Sequence, residues 1–175
     1  MTVKIGIVTI SDRASRGEYE DKSGPAIEDW LNSVISSDWI AEKRVIEDGV
    51  DTVADCLKDL CDNVGADLVL TTGGTGPSPR DLTPEAMAMV MEKEFLGFGE
   101  LMRKVSLEYV PTAILSRQTA GTRGKSLIIN VPGKPSAIDV CLSAVFPAVP
   151  YCLDLIGAGR IETNNGKIDS FRPKK

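Results

Sequence analysis

Apolar residues along this chain recur with two different spacings, and the changes between them mark the elements. Residues 4–10, Lys-Ile-Gly-Ile-Val-Thr-Ile, form a β-branched run suited to a central strand. Residues 39–46 read as a second strand with a polar edge of Glu42, Lys43 and Arg44. Leu68, Val69 and Leu70, extended by Thr71 and Thr72, suit a third strand covered on both faces. Between these runs the spacing becomes helical. Ile27, Trp30, Leu31, Val34 and Ile35 follow a helix opening at Pro25. Val53, Cys56, Leu57, Leu60, Cys61 and Val64 make the stripe of the next helix, which Asp51 or Thr52 can cap and Gly65 closes, with both cysteines as core residues. Strand, helix, strand, helix, strand in that order forms a parallel unit with right-handed crossovers.

The second half is less regular. Residues 84–94 read as a helix whose Met87, Val90 and Met91 fill core, and Phe98, Leu101, Met102 and Val105 carry another, ending near Val110 and Pro111. Residues 113–119 and 126–131 are expected as strands. The join between them is short enough for a hairpin, so one strand runs antiparallel to the rest. Ser136 then caps a helix from Ala137 to about Phe146, and Pro147 and Pro150 break off a shorter one through Ile156 that buries Cys152 and Leu155. Residues 167–171 suit an edge strand and 172–175 a loose tail. The expected fold is α/β: three layers, α/β/α, around a mostly parallel central sheet, in a single domain over residues 1–175 without repeats or linker.

The chemistry concentrates between Asp67 and Ala86. Behind the third strand, Gly73, Gly74, Thr75 and Gly76 form a turn whose amides can point together at one anion, with phosphate the natural candidate. Thr83 and Pro84 open the next helix as N-cap and first residue, with Glu85 near its positive end. In open α/β sheets ligands gather outside the carboxyl ends of the strands, where this turn lies. A carboxylate beside a phosphate cradle is repulsive unless a cation lies between, so Asp81 reads as a Mg²⁺ ligand or water-holder and Arg80 as a phosphate contact. The alternative is that both merely solvate a surface loop. Ser11, Asp12 and Asp48 also follow strand ends. Pro132 and Gly133, with Lys134, make a second glycine turn before a helix and a second possible anion site. Gly124-Lys125-Ser126 is not a P-loop, because Thr119 occupies the place of its first glycine and the segment leads into a strand.

The totals narrow the class. At 175 residues the chain can bury a core without staples. Twenty Lys and Arg against 25 Asp and Glu give a net charge of -5, which disfavours duplex nucleic acid and anionic membrane as main partners. No long apolar run suggests a membrane span, and the first strand begins too early for a leader. A histidine count of 0 removes Ser-His-Asp hydrolysis, His-ligated zinc and His general-base catalysis. The four cysteines form no Cys-x-x-Cys pair and read as reduced thiols of a cytoplasmic protein.

Taken together, the segments 9–13, 72–76, 79–85, 97–100, 115–117 and 127–135 resemble the molybdopterin adenylyltransferases, a family shared with the gephyrin G domain. That resemblance covers nearly the whole chain. It implies transfer of AMP from ATP to the terminal phosphate of molybdopterin with release of pyrophosphate, Mg²⁺ as helper, and assembly as a homotrimer with possible contact to a downstream molybdenum insertase. Its two functional aspartates fall on Asp48 and Asp81, and its serine on Ser116. The turn at residues 73–76 would hold nucleotide phosphates, with Ser11 and Asp12 beside it, and Pro132 and Gly133 the pterin or its phosphate. The family commonly has proline before and an acidic residue after the aspartate equated with Asp48; here Glu47 and Gly49 flank it, and Glu47 could share or take its role. Rival readings are a non-catalytic molybdopterin-binding or scaffold protein of the same fold, a later cofactor-assembly protein, and a nucleotide-binding protein without pterin dependence.

Overall fold

The computed structural model describes residues 2–174. Six strands form one sheet in the order β2-β1-β3-β6-β5-β4. Strands β1 (Val3–Ile10), β2 (Trp39–Ile46), β3 (Leu68–Thr72) and β6 (Ser126–Val131) run parallel, so their carboxyl ends share one rim. Strand β5 (Ala120–Arg123) is antiparallel to both neighbours, β6 and the two-residue β4 (Lys93–Glu94). Alternate residues serve the two faces. Ile5, Ile7, Leu68, Leu70, Leu127 and Ile129 point to one core, and Val8, Ile10, Val69 and Ile128 to the other.

The first face is covered by α2 (Ser23–Val34), α5 (Leu96–Ser106), α6 (Pro135–Val145) and α7 (Val149–Ile156). The second is covered by α3 (Val50–Lys58), the π-helical turn Asp59–Val64 that continues it, and α4 (Thr83–Val90). A short α1 (Asp12–Ser15) follows β1. The expected three-layer, mostly parallel fold is therefore present. By length and composition the helical stretch Pro135–Ile156 is apolar enough to cross a membrane, which the sequence reading overlooked. Here Ile138, Leu142, Phe146, Val149 and Leu153 are buried in the first core, and Phe146–Ala148 is a 3-10 turn at Pro147.

Several expected boundaries move. The strand expected at 113–119 is displaced: Pro111–Leu115 is a 3-10 turn with Ile114 and Leu115 exposed, and the strand forms at Ala120–Arg123, in residues expected as its loop. Pairing against the fully buried β6 outweighs the polar composition of that stretch. The helix expected over 84–94 stops at Val90 because Lys93 and Glu94 are drawn into the sheet as β4. Caps also differ. Thr83, Ser136, Asp51 and Thr52 lie inside their helices, not at caps, and α2 begins at Ser23, where Asp21 Oδ1 accepts from the amides of Ser23 and Gly24. Helix α7 turns Leu155 outward, 67% exposed, and leaves Cys152 half-buried; Cys56 and Cys61 are likewise half-buried against the second core. Residues 167–171 form no strand, although Ile168 is buried, and Thr163 bridges Ile35 instead. In the expected tail, Arg172 is anchored by Asp154 at 2.5 Å and by the Ile161 carbonyl, while Lys175 lies outside the described residues.

Candidate anion site at the sheet rim

From β1 the chain crosses to β2 on one side and, through β2, reaches β3 on the other, so the rim between β1 and β3 is the point where the winding reverses. Connections leave that point in opposite directions and open a crevice. The turn at residues 73–76 lies in it. Gly73 and Gly74 have φ of 103° and 65°, backbone that side chains rarely adopt. A Cβ on Gly73 would meet the Ile10 carbonyl at 2.2 Å, and one on Gly74 would meet Thr83 Oγ1 at 2.3 Å. Gly76 leaves room for Asp81 instead, since a Cβ there would lie 2.8 Å from Asp81 Oδ2 and the carboxylate would have to shift.

All four carbonyls of this turn are occupied from within the protein. Thr83 Oγ1 donates to Gly73 O at 2.9 Å and the Thr83 amide to Gly74 O at 3.1 Å. The Arg117 amide donates to Thr75 O at 2.7 Å and Arg117 Nε to Gly76 O at 3.0 Å. With its oxygens turned inward, the turn presents the amides of Gly74, Thr75 and Gly76, which have no acceptor among the described residues. The second glycine turn is held the same way. Thr72 Oγ1 donates to Pro132 O at 2.9 Å and Ser23 Oγ to Gly133 O at 2.8 Å. The two turns touch, for a Cβ on Gly133 would lie 3.3 Å from Gly73 Cα.

Two hollows open here, sharing Ile10, Ser11 and Arg13. The smaller, about 140 Å³, is lined by Asp12, Asp48, Gly74, Arg80 and Asp81. The larger, about 270 Å³, is lined by Tyr19, Asp21, Lys22, Gly73, Gly133 and Lys134. Their charges differ in kind. Asp21 in the larger hollow is engaged by Thr9 Oγ1 and two backbone amides, which leaves Arg13, Lys22 and Lys134 as its unmatched charges.

In the smaller hollow the loops after β1 and β2 lock together. The Asp12 amide donates to Asp48 Oδ2 at 3.1 Å and the Asp48 amide to Asp12 Oδ1 at 3.0 Å. Asp48 Oδ1 lies 3.3 Å from where a Cβ on Gly74 would be, so the two carboxylates of Asp48 and Asp81 flank the glycine turn. Burial, and then the charges of Asp12 and Asp81, push the Asp48 carboxyl above its ordinary value, opposed by the Asp12 amide and Arg80. Asp81 closes its own loop, accepting from the Ser78 amide at 2.9 Å. No three acidic, cysteine or histidine side chains converge as a ready-made metal cage among the described residues. Two carboxylates flanking a turn with free amides nonetheless fit Mg²⁺, which commonly takes one or two carboxylates and completes its shell with water and substrate phosphates.

Of the residues singled out in the sequence, Ser11, Asp12, Asp48, Gly73, Gly74, Arg80, Asp81 and Gly133 line these hollows. Ser116 does not. Its hydroxyl is hydrogen-bonded to Gln118 and lies 3.5 Å from Thr75 Oγ1. Sequence reasoning missed Ser23, Thr72 and the Arg117 side chain, whose partners are distant along the chain. It misassigned Thr83, whose hydroxyl serves the glycine turn.

Fold and rim together define a doubly wound α/β protein with two touching glycine turns at its switch point. Residues 6–151 match the family described as "Probable molybdopterin binding domain", and the chain belongs to that family. It is 53% identical over 174 residues to the molybdopterin adenylyltransferase of Helicobacter pylori strain J99, covering 99% of each chain. It is 44% identical over 185 residues to the molybdopterin adenylyltransferase of Escherichia coli K12, covering 99% of this chain and 95% of that one. The molybdopterin biosynthesis enzyme MoaB of Thermus thermophilus superimposes with a TM-score of 0.83 at 38% identity, over 92% of this chain and 100% of that one.

Proposed function

We propose that this protein transfers AMP from ATP to the terminal phosphate of molybdopterin, giving adenylyl-molybdopterin and pyrophosphate in molybdenum cofactor biosynthesis. The carrying observation is the pair of touching glycine turns at one rim, one beside carboxylates and one beside lysines. The near full-length identity to molybdopterin adenylyltransferases supports the same reading.

The smaller hollow takes the triphosphate, with Gly74 and the Arg80 guanidinium from its lining and the neighbouring amides of Thr75 and Gly76, which have no acceptor among the described residues, holding its oxygens. Asp48 and Asp81 would hold Mg²⁺, with Asp12 fixing Asp48 and Glu47 left as a rim carboxylate. When bound, Mg²⁺ supplies neutralisation of charge on the transferring phosphates. The larger hollow takes the terminal phosphate of molybdopterin against Gly133 and Lys134. A phosphate oxygen attacks the α-phosphorus of ATP, a new P–O–P bond forms, and the bond to the bridging α,β oxygen breaks as pyrophosphate departs. The nucleophile is already an anion, so no strong base is required, and a chain with 0 histidines carries every group this scheme needs. Ser116, whose hydroxyl meets Gln118 and Thr75 and which lines neither hollow, acts through Thr75 in place of a substrate contact.

Four free thiols suit a cytoplasmic site of action. We assign the chain one domain that assembles as a homotrimer. Leu96, Leu101, Leu107, Tyr109, Val110, Ile114 and Leu115 are exposed along one continuous stretch that a neighbouring copy would cover.

Incubation with ATP, Mg²⁺ and molybdopterin tests the activity. Pterin-dependent release of pyrophosphate with adenylyl-molybdopterin as product is expected. Tight pterin binding without transfer, or ATP hydrolysis indifferent to pterin, would refute it. Asp81→Ala should lower turnover at least about a hundredfold, as loss of a charge-stabilising group does, while its melting profile stays close to wild type.

A further inference from the structure

Arg117 follows Ser116 at the rim, and an arginine beside phosphate-binding turns is readily read as a phosphate contact. Its hydrogen bonds say otherwise. Nε donates to Gly76 O at 3.0 Å, Nη2 to Asp81 O at 2.6 Å, and Nη1 and Nη2 grip the Glu85 carboxylate at 2.5 Å and 3.2 Å. Its backbone amide holds Thr75 O. The guanidinium thus binds both ends of the loop at residues 76–81 and ties them to the first turn of α4. Arg117 lines neither anion hollow, whereas Arg80 lines the smaller one and makes no side-chain hydrogen bond among the described residues.

We propose that Arg117 is a positioning residue that fixes the loop at residues 76–81, and through it the Asp81 carboxylate, for the metal-bound nucleotide, without touching substrate itself. Residues 77–80, Pro-Ser-Pro-Arg, belong to no strand, and the internal closure of the loop is the Ser78–Asp81 pair. Nothing else named above ties both of its ends to one group. A planar fork spanning two carbonyls and a carboxylate is a geometry lysine cannot reproduce, since a single ammonium reaches them only in turn. Glu85 completes the arrangement by orienting the fork, and its own carboxyl is held below the ordinary range, first by the hydrogen bond from Arg117.

This inference rests on the metal–nucleotide role assigned to the smaller hollow. The test uses full-length protein with Mn²⁺ and a non-transferable α,β-methylene ATP, comparing wild type, Arg117→Lys, Glu85→Gln and Arg80→Ala. Amide hydrogen exchange over residues 76–82, Mn²⁺–nucleotide affinity by electron paramagnetic resonance, and molybdopterin affinity are measured separately. In Arg117→Lys, loop exchange should quicken and Mn²⁺–nucleotide binding weaken by about tenfold, the scale of a lost charge-assisted hydrogen bond, with molybdopterin affinity unchanged. Glu85→Gln should show the same pattern more weakly, and decides the matter if Arg117→Lys does not fold. Arg80→Ala should weaken nucleotide binding and leave loop exchange at the wild-type rate. Wild-type exchange and Mn²⁺–nucleotide affinity in the Arg117 and Glu85 variants would overturn the proposal. An equal loss of molybdopterin affinity, or a wild-type protein that binds no Mn²⁺–nucleotide, would do the same. Failure of wild type to transfer AMP would sink the activity while leaving these measurements to judge Arg117.

Discussion

Asp48 shows how a single carboxyl records the purpose of its surroundings. Its folded value is raised by burial and by Asp12 and Asp81, so the folded chain favours the protonated form more than the unfolded chain does. Any stability linked to that proton is present below the ordinary carboxylate range and is lost as pH rises through the raised folded value. Asp48→Asn should therefore melt higher than wild type at pH 7 in metal-free buffer, with the gain vanishing as pH falls below the ordinary carboxylate range, while AMP transfer collapses. A melting temperature at or below wild type at pH 7 would contradict this account of the residue. Gly73 makes the complementary case for backbone. With φ at 103° and a Cβ facing the Ile10 carbonyl at 2.2 Å, Gly73→Ala should cost at least about 1–2 kcal/mol in chemical denaturation.

Among the elements, what could be read from the sequence divides by the range of the forces involved. Strands β1, β3 and β6 were legible because their patterns are local and their burial is nearly complete, and the half-exposed edge strand β2 because its apolar residues still form a local run. The polar strand β5 was not, because its identity comes from pairing across to β6 and from Met91 lying against Gly121, where a Cβ would meet Met91 Sδ within 2.2 Å and the Lys93 carbonyl at 2.5 Å. Gly121→Val should accordingly unseat β4 and lower stability by about 1–3 kcal/mol, read as a lower denaturation midpoint. The glycines and aspartates of the site could be found as motifs. The hydroxyls that turn the carbonyls inward could not, because Ser23 reaches Gly133 across 110 residues and Thr72 reaches Pro132 across 60. Leu155 was misread for a related reason: helical spacing alone does not say which side of a short helix meets the core.

For the molecule as a whole, the parallel strands deliver the loops after β1, β2, β3 and β6 to one rim, and the reversal of winding between β1 and β3 opens the smaller hollow there. The sequence indicated that arrangement through its order of elements, but not which hollow would carry which charge. The exposed apolar stretch from Leu96 to Leu115 belongs to the same scale. Ile114→Glu should convert a trimer to monomers in light scattering, and an unchanged mass would assign that surface another purpose. The central claim is that the inward-turned carbonyls at residues 73–76 leave amides that grip nucleotide phosphate. Amide chemical shifts during titration with ATP and Mg²⁺ test it most directly: Gly74, Thr75 and Gly76 should move downfield together and saturably, and ATP binding that leaves those three resonances in place would contradict it.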